Sequence, residues 1–296
     1  MSTSITTAFV RQYEKDVHHL FQLEGGFLRG AVRMKTDVVG KSTTFQKIAK
    51  GAATTKARHG TITPMNQTHT ALEITLADFY AGDWVDKLDE AKTNIDERMA
   101  IAKGGAWALG RKVDSQIITV MDATNDSTTT LTVTSKAAIL ASLLDWIEEA
   151  DDNDVPNDGQ RYALLTPRMW AQAQTVKEFN SGDYVDASGK ALTAGAPLSQ
   201  RWLSWNGVMF KVHTGLPGKG TATAKCFLWH KSAVGYATGA HAGNVAASEG
   251  VSADITWHGD RAAHFVNHCM SGQGGVIDST GVFEGNLNDT TAIATT

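Results

Sequence analysis

Val32-Arg-Met-Lys35 and Leu72-Glu-Ile-Thr-Leu76 each alternate apolar with polar residues, the period of strands that bury one face. Between them, Gly40–Gln67 is polar, rich in glycine and threonine, and without apolar periodicity. An irregular loop of that length is uncommon inside a compact domain and, where it occurs, tends to be functional. Its charge is one-sided: Arg29, Arg33, Lys35, Lys41, Lys47, Lys50, Lys56 and Arg58 face only Asp37 between positions 28 and 60. A lone two-stranded ribbon is at best marginally stable in water. These residues predict a basic, extended β-hairpin over 29–82 that needs a surface to lie on. A neighbouring copy of the chain is the simplest one.

Outward from this ribbon, residues 1–28 read as an arm, with a short helical patch around Phe9, Tyr13 and Leu20. On the other side, Ile95, Met99, Ala102, Ala106, Leu109, Val113, Ile117 and Met121 recur every three or four residues. That stripe predicts a helix over 94–121, about 40 Å long at 1.5 Å per residue, with Asn94 and Glu97 as a capping pair. Gly104 and Gly105 lie in its interior, where glycine costs up to ~1 kcal/mol against alanine. Such a pair marks either close packing against a neighbour or a point of flexure.

Beyond the helix the pattern turns to mixed α/β. Lys136–Ala150 predicts a helix with Ile139, Leu140, Leu143, Trp146 and Ile147 inward. Asp145, Glu148, Glu149, Asp151, Asp152, Asp154 and Asp158 form an acidic shoulder at its end. Tyr162–Leu165 reads as a short buried strand, and Thr166-Pro167 opens a helix with threonine at the cap and proline at the first position. Further strands are expected at Val208–Val212, Phe227–Trp229, Ile255–Trp257, Phe265–Val266 and Val276–Phe283.

Composition narrows the function. The 296 residues carry a formal net charge of −4, which speaks against a dedicated DNA binder, and the apolar runs are far too short to cross a bilayer as a helix. Cys226 and Cys269 form no CxxC pair. The N-terminal stretch lacks a basic run followed by an apolar block, so no secretion signal is expected. Gly40-Lys-Ser-Thr lacks the glycine five positions earlier that a phosphate loop needs, since Lys35 stands there. His258, Asp260, His264, His268 and Cys269 cluster in sequence, but on a strand four residues span about 13 Å, too far to share one metal ion. Gly215-Leu-Pro-Gly218-Lys-Gly220 reads as a turn. No catalytic residue, cofactor site or metal site is expected.

Opposed charges are more informative. Arg29, Arg33, Lys35, Lys41, Lys47, Lys50, Lys56 and Arg58 on the ribbon and Asp151, Asp152 and Asp154 on the shoulder are candidate contacts between subunits. Copies that meet through two different surfaces need complementary patches of this kind.

The order of elements resembles the major capsid protein of tailed double-stranded DNA bacteriophages, the Hong Kong 97-type fold. Arm 1–28, extended loop 29–82, peripheral domain with a spine helix 83–128, axial domain 129–250 and a return to the peripheral domain 251–296 take that family's places in order. Tyr162-Ala-Leu-Leu-Thr-Pro-Arg168-Met-Trp170 resembles its axial strand and helix. Gly207–Pro217 with Cys226–Gly235 resembles its strand, turn and strand near the ring centre. Asp260–Asn267 and Gly275–Asn286 resemble its closing peripheral strands.

The resemblance implies an α+β, non-enzymatic protein of the virion that is assembled in the bacterial host cytoplasm. Its copies would form the pentamers and hexamers of an icosahedral shell, with packaged double-stranded DNA on the inner face. Scaffolding, portal and decoration proteins would be separate partners, without any membrane contact. Gly104 and Gly105 would then be candidate flexure points of the spine helix. Some members crosslink a loop lysine to an asparagine on a neighbour, and no motif here carries that over. The alternatives are an encapsulin-type nanocompartment shell and, more distantly, a cytosolic metal-dependent α/β enzyme built on the histidine-rich C-terminal segment.

Overall fold

The computed structural model describes residues 23, 25–92, 97–180, 202–240, 247–248 and 251–294. Most of the expected arm, through position 22, and Asn94 of the expected cap lie outside them. The ribbon region contains β1 (Arg33–Val38), β2 (Ser42–Ile48), β3 (His69–Thr75) and β4 (Ala77–Asp86). Next come α1 (Lys87–Lys92), α2 (Glu97–Ala123), β5 (Ser127–Leu131), α3 (Lys136–Asp152), β6 (Arg161–Leu165), α4 (Pro167–Ala173) and α5 (Lys177–Asn180). The rest is β7 (Leu203–Trp205), β8 (Val208–Val212), β9 (Ala224–His230), β10 (Val234–Gly239), β11 (Ala247–Ser248), β12 (Val251–His258), β13 (Ala263–Val276) and β14 (Val282–Leu287).

One sheet runs β1-β10-β13-β12-β11, with β4 also paired to β13. A second runs β5-β14-β9-β6-β8-β7. The second sheet is covered on both faces, which is why its central strands read as continuous apolar runs. Ala163, Leu165, Phe210, Cys226, Leu228 and Phe283 pack with Leu143, Trp146 and Met169 of α3 and α4. The alternate residues Leu164, Phe227, Trp229 and Val282 share a second core with α2. Burial pushes the Cys226 thiol up to about 12. The helix starts follow the sequence: the Ser135 hydroxyl accepts from the Ala138 N–H, and the Thr166 hydroxyl accepts from the Met169 N–H with Pro167 behind it.

Three expectations change. The two alternating stretches do not pair with each other. β1 pairs in parallel with β10, Met34 opposite Tyr236, and the partner of β3 is β2, in register from Ser42 opposite Thr75 to Ile48 opposite His69. β2 lies in the segment read as loop because its inward positions are Thr43 and Phe45, a weak apolar signal. The sheets also do not divide at residue 250. β10 joins the first sheet, while β14 fills the slot between β5 and β9 in the second, so only β12 and β13 of 251–296 stay with β4. Finally, the ribbon has some support from its own chain: Phe45, Ile74 and Ala237 form a small buried cluster at its root.

α2 is an unbroken helix through Gly104 and Gly105. Its buried face starts at Leu109 and continues through Val113, Ile117 and Met121, whereas Met99 is 64% exposed. The expected stripe therefore holds for the C-terminal part alone, because the N-terminal turns flank an open cleft beside β4. The two glycines differ. A Cβ on Gly105 would stand 2.6 Å from Nδ1 of the buried His268, whereas one on Gly104 would meet nothing within 4 Å. Gly105→Ala should lower stability by about 1–3 kcal/mol through overpacking. Gly104→Ala should raise it by up to ~1 kcal/mol through helix propensity. Thermal unfolding of the two variants checks this, and the midpoints should move in opposite directions.

Candidate assembly interface

The ribbon's root and tip differ in hydrogen bonding and in burial. At the root, β2 and β3 are hydrogen-bonded and partly buried. Residues 49–68 have no strand or helix and are exposed throughout, including Ile62 at 76% and Met65 at 51%. The tip is thus cationic and carries two uncovered apolar side chains.

The candidate cations do not act alike. The Arg33 guanidinium lies 5.6 Å and the Lys35 ammonium 5.9 Å from the centre of the Phe45 ring, and Lys35 also donates to the Thr44 carbonyl. Arg29 is half-buried at the foot of the ribbon, 3.9 Å from the Met270 sulfur. Lys47 pairs with Asp278 at 2.7 Å, and Lys50 with Asp154 at 2.7 Å. Burial works to raise the Asp278 pKa, but hydrogen bonds from Lys47 and Thr280 outweigh it and hold the carboxyl below its ordinary value. Hydrogen bonding to Lys50 likewise lowers Asp154, and the pairing raises Lys50. Lys41, Lys56 and Arg58 are exposed and make no ion pair among the described residues. On the acidic side, Asp151 pairs with the buried Arg161 at 2.6 Å, and Asp152 is exposed. The structure thus brings Lys50 and Asp154 together, but within one chain.

The histidine-rich segment is spread over two strands. His258 meets the Trp84 ring edge-on, His264 lies against Trp257, and His268 sits beneath Gly105. The Gly40-Lys-Ser-Thr stretch leads into β2 and not into a helix.

A second, buried charge cluster holds Gly26, Phe27 and Leu28 against the body. Asp114 of α2 is fully buried and accepts from the backbone N–H groups of Phe27 at 3.3 Å and Leu28 at 3.1 Å. His213 Nε2 stands 3.6 Å from the same carboxylate. The Lys211 ammonium packs 4.1 Å from the centre of the Phe27 ring; burial lowers its pKa while Asp114 pulls it upward. Arg111 adds a bond to the Leu23 carbonyl, and the Gly26 N–H donates to the Gly110 carbonyl. Sequence reading missed this cluster. The available signal was an acid at position 114, in step with Ile117, Ile118 and Met121 on the inward face of a helix.

A family model described as phage capsid protein matches residues 5–288. The chain belongs to the phage capsid protein family. A search of curated protein sequences gave no significant match. Among solved structures, the capsid of the cyanophage P-SCSP1u is similar at a TM-score of 0.72 and 15% identity, over 97% of this chain and 95% of that one. A structure from Mycobacterium phage Che8 is similar at 0.68 and 18%, over 96% and 98%. The SrpI encapsulin of Synechococcus elongatus shares the fold at 0.65 and 10%, over 100% and 99%. These likenesses bear out the α+β, Hong Kong 97-type fold. This phage capsid protein is a major structural component of the virion that self-assembles into a shell.

Removing the Asp114 carboxylate would leave two backbone donors without their acceptor and take away the negative charge that favours the Lys211 ammonium. Asp114→Ala should cost about 2–4 kcal/mol in denaturant unfolding, since buried unsatisfied groups lose ~1–3 kcal/mol each. Limited proteolysis near residues 23–28 should accelerate in the same variant. Asp114→Asn, which keeps one acceptor oxygen, should fall between it and the wild type.

Proposed function

We propose that copies of this chain form the pentameric and hexameric rings of an icosahedral head enclosing double-stranded DNA, with each ribbon tip laid on the next subunit. The observation that carries this reading is the exposure of residues 49–68 throughout, on a chain of the phage capsid protein family. The ring-forming unit would be the second sheet with α3 and α4, close to the 129–250 expected as an axial domain. α2 would be the spine, and β4, β12 and β13 the peripheral sheet.

Exposed charge pairs contribute roughly 0–1 kcal/mol apiece, so no single contact holds such a shell. Repetition does, because each contact raises the effective concentration of the next. A chain with a net charge of −4 would enclose DNA without gripping it. Scaffolding, portal and decoration proteins would be separate chains, and the protein would have no catalytic role.

Replacing residues 51–66 by a short turn that rejoins β2 and β3 tests the tip. The shortened subunit should keep its unfolding midpoint and stay soluble, yet give no closed particles by electron microscopy. Normal particles would overturn the role of the tip. Full-length particles should contain nucleic acid; particles holding protein cargo instead would favour the encapsulin-type reading that the likeness to SrpI raises.

A further inference from the structure

Lys47, Lys50 and Asp154, expected as contacts between subunits, are ion-paired inside a single chain. Lys47 follows Phe45 on β2, and its ammonium reaches Asp278 in the turn between β13 and β14. Lys50, just past the end of β2, reaches Asp154 just past the end of α3. Asp278 is itself held, accepting from the Thr280 hydroxyl at 2.8 Å and its N–H at 3.3 Å. Asp154 sits in a left-handed backbone conformation, φ 56°, where its N–H donates to the Asp151 carbonyl. Both acids are therefore presented from turns with a defined backbone, and both line one cleft with His230 and Pro156.

We infer that Lys47–Asp278 and Lys50–Asp154 form an intrachain latch that seats the ribbon root on its own subunit and presets the direction in which the tip leaves. The buried cluster of Phe45, Ile74 and Ala237 is the pivot. The two ion pairs lie farther along β2 toward the tip, where a small force gives the largest control over angle. The cations left for a neighbour are then Lys41 just before β2 and Lys56 and Arg58 on the tip, not Lys47 or Lys50. The latch rests on the assembly reading only for its purpose; its existence is a property of the free subunit.

A zero-length carbodiimide crosslinker, which condenses a lysine amine with a carboxylate already in contact, tests it directly. Equal amounts of light-nitrogen and heavy-nitrogen protein are mixed and treated both as free subunits and as assembled particles. Peptides joined through Lys50–Asp154 and Lys47–Asp278 should be all light or all heavy in both samples. Light–heavy hybrids, or no such peptides in the free subunit, would overturn the latch. Hydrogen exchange gives an independent reading: Asp154→Lys should speed exchange of the 45–50 amides about 2- to 5-fold, as expected for loss of an exposed pair. The exchanged pair Lys50→Glu with Asp154→Lys should restore the wild-type rate. Unchanged exchange in Asp154→Lys would also overturn the latch. Failure to form particles counts against the assembly reading alone, because the free-subunit sample still judges the latch.

Discussion

One helix face, buried against two sheets at once, makes this subunit a single body. Val113, Ile117 and Met121 of α2 share a core with Leu164, Phe227 and Trp229 of the second sheet and with Val234, Tyr236 and Met270 of the first. A fully buried side chain of this size contributes about 1.5–3 kcal/mol relative to exposure. Sliding either sheet away from α2 would strip several such contacts together. The Asp114 clamp ties Phe27 and Leu28 to the same stretch of helix, so this segment and both sheets take their positions from it.

That dependence explains what could be read from sequence and what could not. Elements whose signal is local were legible: the stripe from Leu109 to Met121, the inward face of α3, the Thr166-Pro167 start and the apolar strands β6 and β9. Pairing was not. Alternation in Val32–Lys35 identifies a strand, but nothing in those residues names β10 as its partner. β13 is a second case. Within it the expected strand was Phe265–Val266, because the run Ser271-Gly-Gln-Gly-Gly275 carries no apolar alternation. In the fold that run is strand, and its small residues admit close neighbours: a Cβ on Gly275 would stand 2.8 Å from Ile74 of the ribbon. Glycine inside a strand often marks such an approach. The ribbon root can therefore sit low on the sheet, a fact that exists only once both elements are placed.

The same distinction governs the charges. Counting basic residues on 29–58 identified a positive segment but not its exposed part. Arg33 and Lys35 lie by an aromatic ring, Lys47 and Lys50 reach acids of their own chain, and Lys41, Lys56 and Arg58 remain open to solvent. The partner each residue meets in the fold, and not charge density along the sequence, sorts these groups.

A tip without secondary structure has a thermodynamic consequence for assembly. Ordering each backbone residue on docking costs about 1–2 kcal/mol, which opposes whatever Ile62, Met65, Lys56 and Arg58 gain. Net affinity at one contact is then low, and complementary charge serves chiefly to select register and reject wrong neighbours. In the proposed shell, low affinity at each contact would let misplaced subunits leave before a ring closes. A seated root offsets part of the ordering cost by restricting where the tip can be, raising its effective concentration at the adjacent subunit without adding a contact there. On the proposed assembly, an unsupported tip on a supported root would thus combine reversibility at the single contact with persistence of the closed shell.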